Sequence, residues 1–141
     1  MLIPNSYEDF PKGTHGYVYQ TTHIPTGKKY IGKKSLIYNQ KKKLGKKELA
    51  LHEGQGRPPK FKMVQKESDW KTYYGSHHFI KEEIKKGNQS TFKREIIQCA
   101  FSKKELTYLE NKVLFTLAVL ESKDYLNDNI EGRYFKKDFD L

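Results

Sequence analysis

The sequence predicts an α+β domain in which short strands carry most of the aromatic side chains and helices cover them. Three features predict it. Residues 16–35, GYVYQTTHIPTGKKYIGKKS, place two tyrosine-bearing segments on either side of a Pro-Thr-Gly turn. Residues 102–105, SKKE, form a capping box that opens a helix with leucines at helical spacing. Between the two lies a lysine-rich stretch that belongs to neither pattern.

Taken in order, residues 1–14 form an irregular lead-in punctuated by Pro4, Pro11 and Gly13. Residues 16–22 are a first strand, built from Tyr, Val and Thr. HIPTG is a turn, and residues 28–33 are the returning strand. A basic insertion runs from about 34 to 66, with Gly45, Gly54, Gly56 and the breaker RPPK, and with room for a short helix near KKELALHE. Ser76 is placed to cap a helix reaching Lys86, with Phe79, Ile80 and Ile84 on its apolar side and Gly87 at its end. TFKREIIQ is a third strand. Ser102 and Glu105 open the last helix, which should reach about Glu121, and a mixed tail follows.

At 141 residues the chain suits a single domain, spanning 1–141, with one modest core. Only 35% of residues are hydrophobic, while aromatics reach 13%, which argues against wholesale disorder. No apolar run suits a membrane span, and the first residues lack a secretory pattern. The lone Cys99 excludes an internal disulfide and a cysteine zinc cluster, so a cytoplasmic setting is expected. The net charge is +10, and residues 33–66 carry eleven Lys and Arg against Glu48 and Glu53. Such a block fits a polyanion, with nucleic acid as the expected partner. Lys33, Lys41, Lys42, Lys43, Lys46, Lys47 and Arg57 are the candidate contacts. The plainer alternative is a solvated loop that aids solubility.

Two clusters suggest chemistry. With Thr22 opposite Gly27 across a four-residue loop, Tyr19 falls directly opposite Tyr30, roughly 5 Å away at Cβ. The plainer use of such a pair is cover for the core. In the last helix Leu106, Leu109, Val113, Leu117 and Leu120 make a buried stripe, and Glu110 interrupts it. A carboxylate there must be paired, protonated or bound to a cation. It is either a rim ion pair or a ligand for a hard divalent ion. Phosphodiester hydrolysis would need such an ion, and a phenol could handle the water if Lys28, Lys29, Lys33 and Lys34 lowered its pKa. Trp70, Tyr73 and Tyr74 fit a packing cluster, and the adjacent His77 and His78 fit solvent or phosphate contact rather than a helical metal pair.

These residues resemble the GIY-YIG nucleases. YVY at 17–19 is similar to the first motif, and YIG at 30–32 is the second letter for letter. The separation of Tyr19 from Tyr30 fits, and the likeness continues through FKREI and ELTYLENKVLF to YLN, covering most of 16–130. ESDWKTYYGS resembles a block of small phage-borne members. The resemblance implies a small three-stranded antiparallel sheet flanked by helices, with the basic insertion after the second strand. It implies DNA as substrate and Mg²⁺, or Mn²⁺, as cofactor. Tyr19 matches the tyrosine that acts as or assists the general base, Tyr30 the second active-site tyrosine, Glu110 the single metal ligand and Asn127 the late supporting asparagine.

Two positions depart from the family pattern. Tyr17 stands where Gly is usual, beside Gly16. The arginine expected about ten residues after the second tyrosine is absent, its place taken by Gln40 and Lys41. If the insertion displaces the relevant helix to 76–86, Lys81 is the substitute, with His77 four residues before it. Lys34 or Arg57 could also serve, although lysine is a weaker phosphate clamp than arginine. The resulting expectation is a metal-dependent DNA endonuclease that uses water and forms no covalent enzyme intermediate. The alternatives are an inactive nucleic-acid-binding module on the same scaffold and a small interaction protein for acidic partners.

Overall fold

A computed structural model describes residues 1–51, 54, 56 and 60–139. Its elements are β1 (Gly16–His23), β2 (Lys28–Ser35), β3 (Ile37–Lys43), α1 (Lys46–Ala50), β4 (Phe61–Glu67), α2 (His78–Lys85), β5 (Phe92–Ala100), α3 (Lys103–Thr116), β6 (Asn129–Ile130) and β7 (Tyr134–Phe135). The fold is α+β, with a three-stranded antiparallel sheet in the order β2-β1-β5. Two compact units divide the chain, one of residues 1–36 and 69–141, the other of 37–68. Among the described residues no helix is long and apolar enough to cross a membrane.

The opening hairpin forms as expected but in a different register. His23 pairs with Lys28, so Tyr30 faces Thr21 and Tyr19 faces Gly32, not Tyr30. Gly27 explains the shift. Its φ of 71° is left-handed, which belongs inside a turn, and its N–H donates to the His23 carbonyl at 2.8 Å. The loop therefore includes Gly27, and every later pair slides by two.

The sheet buries both faces. On one, Val18, Ile31 and Ala100 pack against Leu106, Leu109 and Leu114 of α3. On the other, Tyr17, Tyr19 and Ile96 pack with Phe10, Leu36 and Trp70. Trp70 meets Phe10 edge-on at 5.2 Å. Both edges of the sheet are covered, as a lone three-stranded sheet requires. The Met1 carbonyl accepts from Ile96 N–H and Leu2 bridges to Glu95 along β5, while residues 124–127 cover β2.

The helices differ in detail from expectation. Ser102 accepts from Glu105 N–H (3.0 Å) and caps α3, but α3 stops at Thr116 rather than near Glu121. Ala118 turns left-handed (φ 50°), and a 3-10 turn then delivers Val119 and Leu120 to the core. The buried positions on α3 are thus Leu106, Leu109 and Leu114, while Leu117 is exposed. In α2 the cap is His77, not Ser76, because His77 Nδ1 accepts from Phe79 N–H at 3.1 Å.

The second unit contains strands where the sequence predicts an irregular insertion. β3 and β4 pair with each other over seven positions, from Ile37↔Glu67 to Lys43↔Phe61. Lysines have low strand propensity, which masks β3 in the sequence; in β4 the alternation of Phe61, Met63 and Gln65 with Lys62, Val64 and Lys66 is the available signal. The helix expected near KKELALHE covers Lys46–Ala50; His52 and Glu53 lie outside the described residues, as does Arg57.

Candidate active site

The site grows from the outer edge of β2. Because β2 pairs with β1 on one side only, its odd-numbered residues turn their backbone polar groups outward. Each needs a partner. Lys29 N–H donates to the Asp124 carbonyl (2.8 Å), and Leu126 N–H donates to the Lys29 carbonyl (2.7 Å). At Ile31 a single carboxamide replaces a strand: Ile31 N–H donates to Asn127 Oδ1 (3.0 Å) and Asn127 Nδ2 donates to the Ile31 carbonyl (2.8 Å). Buried Asn127 thus fixes the middle of β2. The next outward amide, that of Lys33, hydrogen-bonds the Glu110 carboxylate.

Gly32 admits the first tyrosine. A Cβ there would stand 2.5 Å from the Tyr19 hydroxyl oxygen, so only glycine lets that phenol lie across β2. Tyr19 itself is 2% exposed. Its ring centre is 6.4 Å from that of Tyr30, a diagonal neighbour, so the two phenols converge despite the shifted register. The Tyr30 hydroxyl hydrogen-bonds Ser76 Oγ at 2.6 Å. Tyr30, Ser76, His77, Glu110, Asn127, Asp128 and Glu131 line an open cleft of about 430 Å³.

Electrostatics set the protonation states. Burial pushes Tyr19 well above the ordinary phenol range, and the neighbouring phenols and the Glu110 charge add to it. Burial also raises Tyr30, against the opposing hydrogen bond from Ser76. The lysines expected to lower these phenols face elsewhere. Alternation turns Lys33 to the α3 side, where Nζ donates to Thr107 Oγ1 (2.9 Å). Lys34 pairs with Asp69 and lies 4.0 Å from the centre of the Tyr73 ring. Lys28 donates to the Lys123 carbonyl, and Lys29 lies over Tyr125. Glu110 is raised chiefly by burial, opposed by Lys33 and reinforced by the charge of Glu131.

Of the candidates for a phosphate clamp, Lys34 and Lys81 do not line the cleft, and Arg57 lies outside the described residues. Lys81 lies one turn into α2, its N–H donating to the His77 carbonyl, and does not line the cleft. Arg94 is used structurally: its guanidinium donates to the carbonyls of Trp70 (3.0 Å), Tyr73 (2.8 Å) and Lys71 (2.8 Å) and stacks on Tyr74. Among the described residues the basic groups lining the cleft are His77 and His78. Their ring centres are 4.3 Å apart, because His77 precedes the helix instead of sharing its spiral. Polar ring or carboxylate atoms of His77, His78 and Asp128 lie within 4.8 Å of one another. With Nδ1 taken by the Phe79 amide, neutral His77 carries its proton on Nε2, which faces Asp128 Oδ2 at 3.3 Å. That leaves the His77 ring no free lone pair for a metal: it is hydrogen-bonded to Phe79 and Asp128, and His78 lies against it as a ring neighbour.

Sequence reasoning missed Ser76 as the Tyr30 partner, Asp128, and Glu131. Glu131 sits at φ 58° and accepts from Asn111 Nδ2 at 2.7 Å. Nothing periodic marks a tail residue of this kind. The predicted nucleic-acid contacts Lys41, Lys42, Lys43, Lys46 and Lys47 are exposed on β3 and α1.

No curated protein and no solved structure matches the chain. A family model does match, over residues 3–130, with the description "Putative endonuclease segE, GIY-YIG domain". The matched stretch contains both tyrosines, Glu110 and Asn127, and by that match the chain belongs to the GIY-YIG family of endonuclease domains.

Proposed function

We propose that the chain is a metal-dependent DNA endonuclease working as one nuclease domain, with its reaction centre at the outer edge of β2. The observation that carries this reading is that Tyr19 lies over Gly32, Tyr30 lies beside Tyr19 and the Glu110 carboxylate accepts from the Lys33 amide. The donor chemistry fits a hard divalent cation. Glu110 is a desolvated carboxylate with Glu131 near enough to raise it, and two close carboxylates favour a shared positive charge. Mg²⁺ or Mn²⁺ held by Glu110 would neutralise phosphoryl charge and acidify water.

The chain's own groups do the rest. In the hydrolysis a water oxygen bonds to phosphorus as the phosphorus–oxygen bond to the leaving nucleotide breaks; the water gives up a proton to a base, and the leaving oxygen takes up a proton, so that the two products are a phosphate monoester and a free hydroxyl. Tyr19 and Tyr30 hold their protons at neutral pH, so they orient water and phosphate through hydrogen bonds rather than waiting as phenolates. Ser76 fixes the Tyr30 hydroxyl. Asn127 positions β2, and through it Gly32 and Lys33, without touching substrate. His77 and His78, which line the cleft, are the basic groups best placed for phosphate, with Lys33, Lys34 and Lys81 secondary. Lys41, Lys42, Lys43, Lys46 and Lys47 supply nonspecific DNA affinity, together with Lys33 and Arg57.

The test is supercoiled plasmid incubated with Mg²⁺ or Mn²⁺, with and without chelator. Metal-dependent nicking is expected. DNA binding without nicking in either metal would favour a second reading, an inactive binding module. That reading is supported by the absence of Lys and Arg side chains from the described cleft lining.

A further inference from the structure

Among the described strands, β3 and β4 form a two-stranded ribbon of their own, and its two faces differ. Alternation places Asn39, Lys41, Lys43, Phe61, Met63 and Gln65 on one face, with the end pair Ile37 and Glu67 beside the amides. All of these side chains except the half-buried Ile37 are exposed, Phe61 by 51% and Met63 by 60%. On that face Asn39 lies directly opposite Gln65, an amide pair flanked by Lys41 and Met63 on one side and by Ile37 and Glu67 on the other. The opposite face, which carries Lys62 and Val64, is partly covered at those two positions.

We propose that this ribbon enters the major groove of duplex DNA with the Asn39–Gln65 face toward the base edges, and so biases which sequences the protein binds and cuts. The inference rests on the reading that DNA is the substrate. Several observations support it. The major groove of B-form DNA admits a two-stranded ribbon, whereas that of A-form RNA is too narrow and deep. Carboxamides offer a donor and an acceptor together, the pattern that matches adenine, and apolar tips match the thymine methyl. Lys41 and Lys43 follow the amides toward one end of the same face, and Lys42 and Lys66 lie on the opposite face, so the ribbon that carries the amides also carries cationic groups to meet phosphate. A protein partner with an acidic surface would match the lysines but would leave the exposed amide pair unexplained.

The experiment uses the full chain and a pool of random duplex oligonucleotides, selected for binding in the presence of chelator so that no cleavage is needed. Native protein should enrich an A·T-containing motif. Asn39→Ala with Gln65→Ala should lose about tenfold to a hundredfold of the discrimination at the read positions while binding the bulk pool nearly as well. Both side chains are exposed, so the fold is expected to survive, and circular dichroism checks it. Asn39→Gln and Gln65→Asn keep both amides but shift them by one methylene, and should change the preferred motif. A native protein that enriches no motif would overturn the proposal, as would an unaltered motif in the alanine and the amide-shifted variants. So would a Lys41, Lys42, Lys43→Ala protein that binds the pool at native strength. Failure of the nuclease reading is a separate result, the absence of metal-dependent plasmid nicking by a protein whose motif selection is intact.

Discussion

In the unit formed by residues 1–36 and 69–141, Tyr17, Tyr19 and Trp70 are 1%, 2% and 0% exposed; in the unit of residues 37–68, Tyr38, Phe61 and Met63 are 46%, 51% and 60% exposed. Charge divides the other way. The second unit holds nine Lys and Arg against three Glu, so six of the ten net positive charges fall within it. The first unit spends its aromatics on holding a few polar groups still. Tyr19 is buried so that its hydroxyl crosses β2 at Gly32, and Asn127 is buried so that Ile31 does not move. The second unit leaves its large side chains in water, where they can meet a partner. Catalysis depends on groups held in place before the reaction, whereas binding a polyanion depends on accessible charge. Changes in the two units should therefore fail in different assays.

The largest separation is expected at Glu110. Glu110→Gln should cut metal-dependent nicking by about 10²–10³-fold or more while DNA affinity stays close to native. Plasmid nicking and fluorescence anisotropy on the same preparation check it. Native-rate nicking by that variant removes Glu110 from the mechanism.

Next come the phenols. Tyr19→Phe and Tyr30→Phe each delete one oxygen and keep the ring. Each should lower nicking by about 10²-fold, with a stability change of roughly 0.5–1.5 kcal/mol, the scale of one hydrogen bond. If both Phe variants nick normally and only Tyr→Ala harms the protein, the pair is merely core.

Arg94 tests the body in the opposite sense. Its guanidinium holds three carbonyls of the segment that includes Trp70, so Arg94→Ala should cost about 2 kcal/mol and lower the thermal midpoint by several degrees. Activity per folded molecule should persist. A variant with native stability and no nicking would instead make Arg94 the family's missing arginine.

In the ribbon, Lys41, Lys42 and Lys43→Ala should leave the protein within about 0.5 kcal/mol of native stability, as read from the thermal midpoint. The salt dependence of binding should flatten by about 0.9 in log-log slope for each phosphate that the variant no longer neutralises. An unchanged slope would mean that these lysines are only solvated.

Much of this contrast is legible in the residues. Tyrosines around a turn, an acid in a leucine stripe and a lysine block each have a local signature, and these locate the hairpin, Glu110 and the basic segment. What is not legible depends on contacts far apart in sequence. The partner of Tyr30 is Ser76, and the partner of Ile31 is Asn127, 96 residues away. No periodicity encodes such pairs. The register departs from expectation for a local reason: strand pairing extended to Gly27 overlooks that a left-handed glycine closes the loop. The lysines near Tyr30 do not lower its pKa because alternation, which proximity in sequence hides, sends Lys29 and Lys33 to the other face.

The smallest effect concerns stability, and its sign separates a functional acid from a structural one. Burial raises the Glu110 carboxyl above the ordinary carboxylate range. Above that ordinary value the unfolded chain has released the proton while the folded chain still holds it. The folded state then binds more protons, and stability falls as pH rises through the window up to the folded value. Beyond that window ionised Glu110 remains a cost that Lys33 only partly offsets. Glu110→Gln removes the ionisation. The variant should therefore match the native protein near pH 4 and exceed it by about 0.5–1 kcal/mol near pH 7, the low end of single-residue effects. Added Mg²⁺ should close the gap by stabilising only the native chain, since a ligand that binds the folded state alone shifts the equilibrium toward it. Thermal midpoints at the two pH values, with and without Mg²⁺, decide the matter. A variant less stable than native at neutral pH without metal would mean that Glu110 is held by a favourable ion pair within the fold and is not kept there for a cation.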